Sequence, residues 1–132
     1  MKNDANKERG PQTYAIIGAA MEVHNRLGCG FREPAYQSAF AVECRYQAIP
    51  FAREVKYEIL YRDEILDCHY HADFVCFGEV IAELKVVEML TDKHRSQVIN
   101  YLKVSGLRRA VLMNFANERL EYERIVLDYP DS

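Results

Sequence analysis

Apolar residues recur early in the chain at helical spacing: Tyr14, Ile17, Met21, His24 and Leu27 form a stripe that stops at Gly28-Cys29-Gly30. The spacing predicts a first helix from Thr13. Residues 1–12, polar and carrying Gly10-Pro11, read as a flexible leader or docking arm ahead of a single domain over 13–132. A second helix opens at Pro34, a residue suited to a first turn, buries Ala35, Phe40, Ala41 and Cys44, and ends near Ala48-Ile49-Pro50. From Ala52 the period becomes two, with Val55, Tyr57, Ile59 and Tyr61 on one face and Lys56, Glu58 and Arg62 on the other. "RDE" at 62–64 makes a turn. A longer strand then runs from Ile65 to Phe77, with Leu66, Cys68, Tyr70, Ala72, Phe74 and Cys76 on one side and Asp67, His69, His71 and Asp73 opposite. After a turn at Gly78 comes "VIAELKVV", then Thr91 as N-cap of a helix over 92–105 closed by Gly106. "RRAVLMNF" and "LEYERIVL" are two further strands, separated by "ANER". The order reads α-α-β-β-β-α-β-β, an α/β chain without internal repeats.

The anomaly in this pattern is polar. Asp73 lies on the last third of one strand, and Glu83 and Lys85 share a face of the next because side chains alternate with period two. An odd-numbered turn such as Phe77-Gly78-Glu79 places Asp73 across from Glu83; an even one places it across from Leu84. In the first register two carboxylates stand within about 5 Å of each other. Adjacent anions repel and raise one pKa unless a cation lies between them. Oxygen ligands that leave room for water and phosphate suit Mg²⁺ or Mn²⁺ rather than zinc. Such an ion lowers the pKa of water and neutralises charge on a phosphodiester, while Lys85 holds the hydroxide or a phosphate oxygen.

Composition narrows the classes. With 132 residues and 49% hydrophobic content the chain fills one core and not two. A net charge of −3 argues against a surface that is basic throughout, so any polyanion site is local. Four cysteines at Cys29, Cys44, Cys68 and Cys76 form no CxxC pair, which leaves free buried thiols in a reducing cytoplasm as the expectation. No window approaches a membrane span, and the N-terminus has no apolar signal region.

Asp73, nine intervening residues, then Glu83-Leu84-Lys85 resembles the D…(D/E)xK signature of the PD-(D/E)XK nuclease superfamily, with Ala72 where the signature has proline. "GFREPAY" (Gly30 to Tyr36) is similar to G-x-x-E-x-x-Y, and "QVINY" (Gln97 to Tyr101) to the Q-x-x-x-Y element of RecB-like members. Together these stretches resemble the small GxxExxY proteins, over about residues 13 to 127. The resemblance implies a restriction-endonuclease-like fold, a mixed central β-sheet flanked by α-helices, and a metal-dependent nuclease acting on nucleic acid, DNA foremost. It implies Asp73, Glu83 and the Leu84 backbone carbonyl as metal ligands. Glu33 joins them as a further ligand or water-orienting base, Lys85 is the catalytic cation, and Gln97 and Tyr101 position the substrate.

Plainer readings stand beside these. Asp73, Glu83 and Lys85 also make sense as a salt-bridge cluster without metal. Glu33 before Pro34 complements the positive end of a helix. Gln97 and Tyr101 suit the capping of polar atoms above the sheet. His69 and His71 share a face with Asp73 but lie outside the nuclease pattern, and His94 is expected to be exposed. Lys93, Arg95, Lys103, Arg108 and Arg109 make a basic stretch that is either a solvated face or a phosphate track. Helix one, with Tyr14 and Met21, is expected in the core, with a homodimer surface as the second reading. A non-cleaving binding module of the same fold, working within a larger assembly, is the alternative function.

Overall fold

A computed structural model describes residues 4–128, the side chains of 4–9 excepted. Its elements are α1 (Asp4–Leu27), α2 (Glu33–Tyr46), β1 (Phe51–Tyr61), β2 (Glu64–Cys76), β3 (Val80–Lys85), α3 (Asp92–Ser105), β4 (Arg109–Asn114) and β5 (Glu121–Val126). The strands form one sheet in the order β1-β2-β3-β4-β5. Neighbours are antiparallel except β3 and β4, which run parallel because α3 carries the chain across between them. Helices α1 and α2 share one hydrophobic cluster with Phe74, Cys76, Ala82, Leu84, Val111 and Met113. Helix α3 shares another with Ala72, Val75, Ile81, Ala110 and Leu112. The sheet is therefore covered on both faces, and β3 is buried along its length up to Lys85.

Helix α1 is broken at Gly10, whose φ of 57° admits a sharp change of direction, and Pro11 opens the longer second piece. Of the expected leader, residues 1–3 lie outside the described residues, while α1 begins at Asp4. Gln12 bonds both Glu79 and Arg109, tying the start of the second piece to the β2–β3 turn and to β4.

The expected α1 stripe is buried in part: Ile17 and His24 lie inside and Leu27 is half-buried, but its other two members face outward. Tyr14 is 74% exposed and Met21 41%, whereas Ile16, Ala19 and Ala20 are fully buried. Residues 14–21 include no polar position, so periodicity left their phase open; the small Ala19 and Ala20 allow the close packing that Tyr14 and Met21 would block. In α2, likewise, Tyr36 is fully buried and Ala35 only partly so. Two of the four thiols expected to be buried, Cys29 and Cys68, are exposed. Among the described residues no helix is long and apolar enough to cross a membrane.

Two polar devices hold the loops around the sheet. Tyr36, stacked on Phe115 at 4.8 Å, donates its hydroxyl to the Gly28 carbonyl at 2.6 Å and accepts from the Phe31 amide at 3.3 Å. That closes the glycine loop before α2. Asn114, fully buried, accepts from Val87 N–H and donates to the Val87 carbonyl and to Glu121. Glu121 in turn accepts from Leu90 N–H, and Arg95 clasps Glu123 through two bonds of 2.7 and 2.6 Å. The β3–α3 connection is thus fixed to β4 and β5 by side chains where no ladder reaches it.

Asn114→Ala removes every one of those Asn114 bonds and strands both polar groups of Val87, so it should destabilise the protein by about 2–4 kcal/mol. Urea unfolding measures this, and an unchanged midpoint would show that the connection is held by something else.

Candidate active site

The β2–β3 ladder pairs Cys76 with Val80, Val75 with Ile81 and Phe74 with Ala82 across a three-residue turn, Phe77-Gly78-Glu79. The odd turn is the register expected from the sequence. The next positions outward are Asp73 and Glu83, and there carboxylates replace main-chain carbonyls. Asp73 N–H donates to Glu83 Oε2 at 2.7 Å, and Leu84 N–H donates to Asp73 Oδ2 at 3.0 Å. The two strands thus exchange side-chain acceptors where their backbones cease to pair.

Burial makes this arrangement costly when charged. Glu83 is only 2% exposed, and burial first, then the Asp73 charge, push its pKa up to about 8. Burial also raises Asp73, against the opposing pull of the Leu84 amide, the Lys85 ammonium and Gln37; Glu54 adds to the rise. Glu33, in the first turn of α2, is raised by burial and by Asp73, while Lys85 and the Val86 amide draw it back. Tyr101 is pushed up to about 12 by burial, with Glu83 and Asp73 contributing. Lys85 Nζ lies 3.3 Å from Gln97 Oε1. The fold therefore gathers Glu33, Asp73, Glu83, Lys85, Gln97 and Tyr101 at one end of β3.

Two residues of the cluster were not singled out from the sequence. Gln37 bonds Glu33 at 3.3 Å and lies one helical turn beyond it, so its i+4 spacing was the available signal. Glu54 sits opposite Asp73 with a φ of 50°, between the intact pairs Arg53–Phe74 and Val55–Ala72. At this point the apolar faces of β2 also change over. Tyr70 and Ala72 pack towards α3, whereas Phe74 and Cys76 pack towards α1 and α2. The expected single face from Leu66 to Cys76 is thus broken at Asp73, and Leu66 and Cys68 are exposed on the part of the β1–β2 ribbon that projects past the core.

The histidines stay apart from the cluster. His69 and His71 meet edge to face at 4.7 Å on exposed positions of β2. His94 is half-buried, contrary to expectation, because its Nδ1 accepts the Thr91 amide at 3.0 Å and caps α3. The basic stretch is divided: Arg95 pairs with Asp92 and Glu123, and Arg109 with Glu79.

The chemistry of the donor set fits a hard divalent ion. It offers carboxylate oxygens from two strands and a main-chain carbonyl, since in extended backbone the carbonyl of Leu84 points the same way as its N–H, towards Asp73. Among the described residues no three His, Cys, Asp or Glu side chains are grouped so as to hold a metal by themselves. A set completed by backbone and water is the kind Mg²⁺ accepts.

A family model described as the PD-(D/E)XK nuclease superfamily matches residues 11–125. No curated protein matches the chain. The solved structure titled "Crystal structure of SSO0001" is similar with a TM-score of 0.54, at 15% identity, over 91% of this chain and 80% of its own. That likeness concerns the fold, and the mixed five-stranded sheet between helices is the restriction-endonuclease-like α/β architecture expected.

In metal-free solution the folded chain keeps a proton on Glu83 that the unfolded chain has released. Stability is therefore full below the ordinary value of 4.5 and falls as pH rises through about 8. Thermal unfolding in EDTA should show a Tm that drops over this range, and Glu83→Gln should flatten most of the drop. A flat wild-type profile would contradict the burial argument.

Proposed function

We propose, since the chain belongs to the PD-(D/E)XK nuclease superfamily, that it is a metal-dependent nuclease hydrolysing phosphodiester bonds of nucleic acid, with DNA as the favoured substrate. Within the superfamily we assign it to the small GxxExxY proteins, on Gly30, Glu33 and Tyr36. One observation carries the reading. Asp73 and Glu83, from adjacent strands, are held together in a buried site where neither is readily charged without a cation. A structural salt bridge would not set two carboxylates against a single lysine in this way.

Asp73, Glu83 and the Leu84 carbonyl would hold Mg²⁺ or Mn²⁺, with Glu33 in support. Bound there, the ion supplies a lowered pKa for water and neutralises charge developing on the phosphodiester. Lys85, steadied by Gln97, orients the attacking water and a phosphate oxygen through its ammonium protons. Glu33, with its proton affinity raised, is suited to take the proton from that water. Tyr101 backs the carboxylates, and Gln37 braces Glu33 against Asp73.

Isothermal titration of Mg²⁺ and Mn²⁺ into the metal-stripped protein, followed by incubation with mixed DNA and RNA, tests the reading. Wild type should bind metal and cleave. Lys85→Ala should keep metal affinity within about threefold and lose cleavage by about 10²-fold or more, whereas Asp73→Ala should lose both. Cleavage undiminished in either variant would sink the proposal, and metal binding without cleavage of any substrate would point to the non-cleaving module.

A further inference from the structure

Beside the carboxylate cluster lies a trough of about 520 Å³, lined by Tyr70 and Lys85 from the sheet and by Lys93, His94, Ser96, Gln97 and Asn100 from α3. Its two walls differ in chemistry. The α3 wall carries Lys93, Ser96, Gln97 and Asn100, all exposed and spaced at i, i+3, i+4 and i+7, so that they form one polar stripe. The opposite wall is aromatic. Tyr70 is held edge-on against Tyr101 at 4.7 Å, and its cross-strand partner Tyr57 packs with it against the α3 side of the sheet. The scissile site, as proposed above, opens into this trough through Lys85.

Cations are few here. Lys85 and Lys93 line the trough together with His94, whose Nδ1 is taken by the Thr91 amide, while Arg95 and Arg109 are engaged by Asp92, Glu123 and Glu79 elsewhere. Duplex binding rests on many phosphate contacts from both strands. A trough with two lysines, hydroxyl and amide side chains and a tyrosine wall instead offers stacking and hydrogen bonds to base edges, which a duplex keeps inside its own stack.

Resting on the nuclease reading, we propose that the trough between α3 and the β1–β2 ribbon binds a single-stranded nucleic acid segment. Lys93 takes a backbone phosphate next to the scissile one. Ser96 and Asn100 bond base or sugar edges, and Tyr70 forms the surface on which bases stack. The same chemistry accepts DNA or RNA strands, and the binding measurement separates them.

Fluorescence anisotropy of the wild-type protein in EDTA, where metal-dependent cleavage does not interfere, reads the affinity for labelled 12-mers: oligo-dT, oligo-U and a mixed-sequence DNA duplex. At least one single strand should bind about tenfold or more tighter than the duplex. Lys93→Ala should weaken it and reduce the slope of log affinity against log salt by about 0.7. Asn100→Ala, at an exposed position that preserves the fold, should weaken it with the slope unchanged, and Tyr70→Leu should cost about fivefold or more. Duplex affinity equal to or above that of both single strands, no binding to any probe, or single-strand binding indifferent to Lys93→Ala and Asn100→Ala would each overturn the inference. Mg²⁺-dependent cleavage, measured separately, keeps the two proposals apart. A protein that cuts duplex and ignores single strands is still a nuclease, and one that holds single strands without cutting retains this trough.

Discussion

The exchange of acceptors between β2 and β3 is the constraint on which the rest of the site depends. The main-chain ladder ends at the Phe74–Ala82 pair, and beyond it the Asp73 and Leu84 amides bond to the Glu83 and Asp73 carboxylates. This fixes one acidic side chain, Glu83, almost wholly out of water and the other, Asp73, partly so, and the cost appears as raised proton affinity at both. Charge, geometry and burial are coupled in the same pair of hydrogen bonds. Lys85, one alternation beyond Glu83, is the nearest compensation on the strand.

Much of the remaining structure holds other elements to that pair. The glycine loop before α2 is closed by Tyr36, and this sets Glu33 at the first turn of the helix, within reach of Asp73, Lys85 and the Val86 amide. In physical terms the G-x-x-E-x-x-Y spacing places a carboxylate one turn ahead of a buried tyrosine that anchors the loop. On the other side, Asn114, Glu121 and the Arg95–Glu123 pair pin the β3–α3 connection, so that Gln97 arrives beside Lys85 and Tyr101 behind Glu83. These are long-range bonds between residues far apart in the chain. A connection held by the side chains of two neighbouring strands is stiffer than its length suggests, and that stiffness is what a preorganised site requires.

Outside the core, the β1–β2 ribbon extends past the sheet with both faces largely exposed, carrying Leu60, Tyr61 and Ile65 at its end. Its inner part is different, since Tyr57 and Tyr70 turn to α3, and Tyr70 makes the aromatic side of the trough. Helix α1 leaves Tyr14 and Met21 at the surface while its alanines fill the interior. The chain thus concentrates its polar chemistry at one end of β3 and keeps only modest positive charge around it.

Local pattern determined a good deal of this protein. The order of eight elements, the limits of α3 with its Thr91 and Gly106 ends, and the odd turn that sets Asp73 opposite Glu83 all follow from spacing, caps and the period of two. The acidic and basic residues that converge were visible for the same reason, because charges on a strand that is otherwise apolar have no cheap place to go. Tertiary structure decided what periodicity leaves open. Over the unbroken apolar run 14–21 a helix has no readable phase, so the burial of Ala19 and exposure of Tyr14 awaited the packing of α1. Between Glu58 and Leu60 the β1–β2 pairing shifts, so that counting back from the turn sets Glu54 opposite His71, whereas the shifted register sets it opposite Asp73. No local signal marks that shift, because the two extra residues on β2 preserve the alternation of faces. The same holds for His94 and Arg95: sequence shows two basic side chains, and only the folded chain shows that one caps a helix and the other is spent on a strand two elements away.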